Sequence, residues 1–149
     1  MRNADSGRGQ SLVEFALIFP IFILVLVGLF DLGRAVFAYN TISNASRESV
    51  RVAIVNQTTT DVQNEALKQA VSLGLTPTDV TIAYVGPDGT GTCSAPYSIG
   101  CLATVTVQYA YSAATPVISQ IIGPFTMSAT TQMPVERTCP DPPGLATCP

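Results

Sequence analysis

Arg8-Gly9-Gln10-Ser11-Leu12-Val13-Glu14-Phe15-Ala16 stands at the mouth of an apolar run that extends to Phe30. From Leu12 onward Glu14 is the one charged residue of that run, and Phe15–Phe30 carries none. The nineteen residues from Leu12 to Phe30, at about 1.5 Å each, span about 28 Å, close to the ~30 Å hydrocarbon core of a bilayer. A membrane-crossing helix over residues 10–31 is the expectation. Arg2 and Arg8 precede the run with Asp5 as the only acid, whereas Asp31 and Arg34 follow it. The positive-inside tendency puts residues 1–9 in the cytoplasm and the remainder outside. A cleaved secretory signal has a shorter apolar region, about 7–15 residues, followed by a small-residue site. Here the run contains Pro20, and the tolerable site Val36-Phe37-Ala38 lies beyond Asp31 and Arg34. An uncleaved signal anchor remains a rival that hydrophobicity does not separate from the alternatives.

Composition narrows the function classes. The chain has 149 residues, room for one domain beside the membrane run, and only 11% are charged, against about a quarter in soluble domains. A net charge of −3 gives no electrostatic footprint for nucleic acid. Histidine is absent, which removes the commonest general base and the commonest neutral metal ligand. Lys68 is the only lysine, and no nucleophile–base constellation is legible. The expectation is a protein that is not an enzyme and needs no cofactor.

Glu14 has two readings. Locally, Ser11-x-x-Glu14 before an apolar run fits a capping box, in which the Ser hydroxyl and the Glu carboxylate each accept an orphan N–H. The helix dipole also favours an acid near a helix N-terminus, by up to about 1 kcal/mol. The second reading takes in the whole constellation. Arg8-Gly9 followed by Gln10-Ser11-Leu12-Val13-Glu14-Phe15 resembles the cleavage region of type IV pilin-like precursors. That resemblance implies a prepilin peptidase cutting after Gly9 at the cytoplasmic face, so that Gln10 becomes the N-terminus and Glu14 the fifth residue. The new ammonium and the Glu14 carboxylate, both in a low-dielectric setting, then neutralise each other. Between neighbouring subunits the pair sets axial register, because stranding one partner of a buried pair costs about 3–5 kcal/mol.

Three further stretches narrow the resemblance: Gly9-Gln10-Ser11-Leu12-Val13-Glu14-Phe15-Ala16-Leu17 with Pro20, Gly28-Leu29-Phe30-Asp31-Leu32-Gly33-Arg34-Ala35, and Ser43-Asn44-Ala45-Ser46-Arg47-Glu48-Ser49-Val50-Arg51-Val52-Ala53. Over about residues 8–53 they resemble the TadE-like family, minor pilin-like components of tight-adherence (Flp-type) pilus systems. Phe125–Glu136 is loosely similar to the late strand of that family. Ser49 departs from the glycine the family often carries there. The resemblance implies an inner-membrane, single-pass protein with an extracytoplasmic module. Its implied partners are the membrane, a prepilin peptidase, other pilin-like subunits and the assembly platform. Assembly falls on Glu14, Phe15 and Pro20.

Beyond the membrane, Leu32, Val36, Tyr39, Ile42, Ser46, Val50 and Ala53 recur at three- and four-residue steps, which predicts that the helix continues through residues 32–55. Pro20 removes the N–H that would bond Ala16, so a kink or loosened turn is expected there. In a filament, such a turn would let subunits slide. A small α+β module over residues 56–137 follows. Its second helix runs from Asp61 to Gly74, ended by Gly74 and Pro77. Val80–Val85, Leu102–Tyr111 and Phe125–Met133 alternate as strands, and Pro116–Ile122 is a short helix or loop. The predicted class is α+β and pilin-like, with a small antiparallel sheet of about three strands and with disulfides.

All four cysteines follow the membrane run, which fits an oxidising extracytoplasmic side. Of three possible connectivities, local pairing is chosen: Cys93–Cys101 and Cys139–Cys148. Loops of that size constrain the unfolded chain by about 2.5 kcal/mol each. A zinc site lacks Cys-x-x-Cys spacing and histidine, and a catalytic thiol lacks an activating base. The tail 138–149 holds Pro140, Pro142, Pro143 and Pro149 around its cysteines and reads as a stapled surface end. Two functions remain: a minor pilin-like assembly component, and an uncleaved signal-anchored module that binds a ligand outside the cell.

Overall fold

The apolar run and the stripe beyond it form one uninterrupted helix. In a computed structural model, which describes residues 6–93 and 99–136, α1 spans Ser6–Ala53 with Pro20 inside it. It starts earlier than the Gln10 expected, so Ser11 and Glu14 lie within the helix and the capping-box reading falls. Helical hydrogen bonding already runs through Gly9 and Gln10, leaving no helix end at Ser11 to be capped. The chain divides into two compact units that share α1. One is the N-terminal part of the helix to Ala35 with Ser112–Pro124; the other is Val36–Tyr111 with the chain from Phe125 onward.

In the second unit, α2 spans Thr59–Gln69, followed by 3-10 turns at Val71–Leu73 and Pro77–Asp79. The strands are β1, Val80–Val85; β2, Leu102–Tyr111; and β3, Phe125–Pro134. They pair antiparallel in the order β1-β2-β3. Val105 sits opposite Ile82 on β1 and Thr131 on β3. Strand alternation places Ala103, Val105 and Val107 in the core. Across β2 and β3, Thr106 and Thr130 hydroxyls meet at 2.9 Å, and Gln132 Nε2 donates to Thr104 Oγ1 at 3.0 Å. This is the period-two division of a sheet with one buried face. The connection from β2 to β3 contains α3, Pro116–Ile122, resolving the helix-or-loop alternative.

The buried side of α1 is Ala38, Ile42, Ala45, Ser46, Ser49, Val50 and Ala53. Leu32, Val36 and Tyr39, expected on this stripe, are instead exposed. Hydropathy favours the bulky positions, whereas the core takes the smaller Ala38 and Ala45 and allows backbones to approach. Ser46 joins helix to sheet directly: its hydroxyl donates to the Val105 carbonyl at 2.9 Å and lies 2.9 Å from Thr131 Oγ1. Those two residues are cross-strand partners, so one hydroxyl fixes the helix against the central register. Ser49 donates to the Ala45 carbonyl at 2.6 Å within its own turn.

The end of α1 shows why it stops at Ala53 and not at Val55. The last carbonyls of a helix have no partner within it. Here Gln57 Nε2 donates to Ala53 O at 3.1 Å and the Tyr84 hydroxyl reaches the same oxygen at 3.5 Å. The Glu136 amide donates to Ile54 O at 3.0 Å. Asn56, buried, accepts from the Thr58 amide and donates to Asp61, carrying the chain into α2. Asn56 and Gln57, both polar, are therefore buried and bonded.

Val62, Ala66 and Ala70 are buried as expected of the second helix, but Val71 is 80% exposed. The α-helix has already given way to a 3-10 turn at Val71, which rotates this side chain off the core face. Gly74 closes the turn at φ 64°, the left-handed conformation for which glycine was read there. Cys93 and Cys101 form a disulfide, with Cys101 in the core. The Cys139–Cys148 pairing and the tail lie outside the described residues.

Ile42→Ala is expected to cost about 2–5 kcal/mol, the range for truncating a fully buried aliphatic side chain. Val71→Ala is expected to stay within about 0.5 kcal/mol, as for other surface changes. Denaturant unfolding followed by circular dichroism in detergent measures both.

Candidate functional site

Gly9 and Gln10 lie on the first turns of α1, and a side chain at Gly9 would meet open space. Gln10 Nε2 donates to Glu14 Oε1 at 3.3 Å on an exposed face. The pair is four residues apart, the spacing that makes helical side chains neighbours. One turn on, the Phe15 and Phe19 rings stack with centroids 5.1 Å apart. The helix thus brings Gln10 to Glu14 and Phe15 to Phe19. Cys93 and Cys101 belong to the sheet-bearing unit.

Past Glu14 the helix presents large apolar side chains all round: Leu17 is 68% exposed, Ile21 67% and Phe30 68%. A helix apolar on every side belongs in a membrane or a large core. Among the described residues, α1 is long and apolar enough to cross a bilayer. Helical hydrogen bonding resumes on both sides of Pro20. Phe19, Pro20, Ile23, Leu24 and Val27, with Thr115, line an open apolar groove.

At the C-terminal end of this apolar stretch lies an arrangement that the sequence did not reveal. Asp31 pairs with Arg34 as its spacing suggests, at 3.5 Å. Yet Asp31 is only 6% exposed, because its two carboxylate oxygens accept from the backbone amides of Ala114 and Thr115 at 3.0 and 3.1 Å. Thr115 is the N-cap of α3, and Pro116 opens the helix. Proline suits that first position, where its missing N–H leaves no donor bare. The 83- and 84-residue separations explain why local spacing found Arg34 and not these partners. The only sequence cue was an acid ending an apolar run, which reads equally well as an exit charge. Gly28, one turn before Asp31, carries Ile118 close above it: a Cβ there would sit 3.5 Å from Ile118 Cδ1.

A family model described as TadE-like protein matches residues 9–51. This segment is TadE-like. The match starts at Gly9, contains Glu14, Phe15, Pro20 and Asp31, and ends at the exposed Arg51, in the last turn of α1. No curated protein and no solved structure matches the sequence. Ser49, the departure from the family's glycine, is accommodated within the TadE-like segment because its hydroxyl is spent on its own helix backbone, with the Ala45 and Ser46 carbonyls as acceptors.

Asp31→Ala strands two backbone donors. It is expected to cost about 1–3 kcal/mol for each left unsatisfied, and to accelerate amide hydrogen exchange at Ala114 and Thr115. Arg34→Gln, which removes a cation 54% exposed on its side chain, is expected to cost about 0–1 kcal/mol and to leave those amides protected.

Proposed function

We propose that this protein is a minor pilin-like component of a tight-adherence pilus, held in the cytoplasmic membrane by α1 and assembled through it without turnover of a substrate. The observation that carries the reading is the coincidence of the TadE-like match with a bare apolar helix that has Glu14 exposed near its start. An acid in lipid is costly and is retained where it finds a partner. Within the chain, Glu14 has a neutral amide donor, Gln10. Cleavage after Gly9 by a prepilin peptidase creates a better one, the ammonium of Gln10. Offered by a neighbouring subunit, that cation neutralises Glu14 and selects one axial stagger among the many that apolar side chains alone would accept.

Phe15 and the neighbouring apolar residues supply the packing surface on either side of Glu14. Pro20 leaves the Ala16 carbonyl without its helical donor, a weak turn where packed helices adjust length. The Cys93–Cys101 disulfide supports a sheet-bearing unit on the oxidising, extracytoplasmic side, with residues 1–9 inside. Other pilin-like subunits and the assembly platform are the partners that such a surface serves.

The continuity of α1 across Gly9 and Gln10 favours a second reading, an uncleaved signal anchor whose outer unit binds a ligand. A peptidase needs the bond between these residues drawn out of the helix, whereas an anchor keeps it as it stands.

Mass spectrometry of the protein from its native membrane separates the readings. A chain beginning at Gln10 is expected; one retaining residues 1–9 supports the anchor. Glu14→Ala is expected to abolish incorporation into pili while membrane insertion continues, consistent with the ~3–5 kcal/mol cost of stranding one partner of a buried pair. Unchanged piliation in Glu14→Ala would remove the register role.

A further inference from the structure

We infer that the β2–β3 connection, Ser112–Pro124, is a second membrane contact, with α3 bedded among the acyl chains of the outer leaflet beside the exit of α1. The inference rests on α1 spanning a bilayer and goes beyond the assembly role. Its first support is composition: residues 112–124 contain no charged side chain. Its second is exposure. Ile121 is 79% exposed and Ile122 63%, adjacent bulky apolar residues that the described residues leave largely uncovered. A solvated loop between two strands gains nothing from them.

Location supplies the third support. Ile118 packs over Gly28, and Thr115 lines the groove that includes Phe19 and Val27. Both contacts are to the apolar run itself. The exposed isoleucines are thus continuous with a surface already committed to lipid, at its outer end. Helices lying in the plane of an interface bury their apolar side about 5–10 Å into the headgroup–acyl boundary. The final turn of α1 before Asp31 stands at that level.

Several polar backbone groups at the two ends of α3 find partners within the protein, as lipid requires. The Ala114 and Thr115 amides donate to Asp31. Pro116 has no amide hydrogen. Ser119 donates its hydroxyl to Pro116 O at 3.0 Å, and the Gly123 amide closes the helix onto Ser119 O at 2.9 Å. Asp31 satisfies the same condition in reverse, its charge spread over two amides and Arg34. An acid at a bilayer boundary and a helix start in lipid are each costly alone; together they satisfy one another.

Tryptophan is absent from the chain, so a single introduced Trp reports one site. The full chain carrying Ile121→Trp is reconstituted in phosphatidylcholine–phosphatidylglycerol vesicles, with and without phosphatidylcholine brominated on its acyl chains. Phe22→Trp marks the span and Val71→Trp the solvated sheet-bearing unit; Ile122→Trp repeats the test at a second position. The expected result is blue-shifted emission from Ile121→Trp and Ile122→Trp, lost to brominated lipid as it is from Phe22→Trp, while Val71→Trp is quenched only by aqueous iodide. Emission from both isoleucine positions that follows Val71→Trp places the segment in water and overturns the inference. Blue-shifted emission insensitive to brominated lipid means that protein, such as a second copy of the chain, covers α3, and also overturns it. If Phe22→Trp itself escapes brominated lipid, the span fails and the inference with it, a result distinct from either of the others.

Discussion

The structure depends on a single helix that must suit two different surroundings without a break in its hydrogen bonding. Over its first half α1 offers bulky side chains in every direction, and the described residues leave most of them exposed. Over its second half the face that meets the sheet carries small alanine and serine beside Ile42 and Val50. Lipid accepts any apolar surface and asks only that polar backbone be satisfied. A protein core asks for shape. The change from bulk to smallness along α1 follows the change in what it must satisfy.

Where shape is required, polar groups do the fitting. Ser46 holds the helix to the Val105–Thr131 pair, and Ser49 fills a helix position without projecting an unpaired hydroxyl. At the helix end, side chains and backbone from distant segments gather on the carbonyls of Ala53 and Ile54. The arrival of the Glu136 amide there ties the chain just beyond β3 to the end of α1. The unit is small, and its first and last described elements are thereby held by direct bonds.

Much of this was legible in the residues. The three strands are local, period-two patterns bounded by glycine and proline, and β1 and β2 fall where alternation put them. The disulfide was also within reach, because short loops favour local pairing. The stripe on α1 was misplaced at Leu32, Val36 and Tyr39 because hydropathy rewards size, while close packing of a helix on a sheet rewards its absence. Ser11 and Glu14 resembled a helix start because capping residues carry the same signature inside a helix as at its end. Gly9, Gln10 and Glu14 were read from their resemblance to a pilin-like cleavage region, and the helix adds that Gln10 and Glu14 are neighbours on it. The partners of Asp31 escaped because backbone amides have no residue identity to recognise, and nothing in the pattern of Ala114 or Thr115 announces a donor.

That long separation also imposes an order on biosynthesis. Asp31 leaves the ribosome well before Ala114 and Thr115 exist, so its carboxylate is made with Arg34 near it and these two amide donors still to come. It gains them only after the sheet's first two strands have been made. The hydrogen bonds at Asp31 therefore close late in synthesis, once the chain has returned to the helix with which it began.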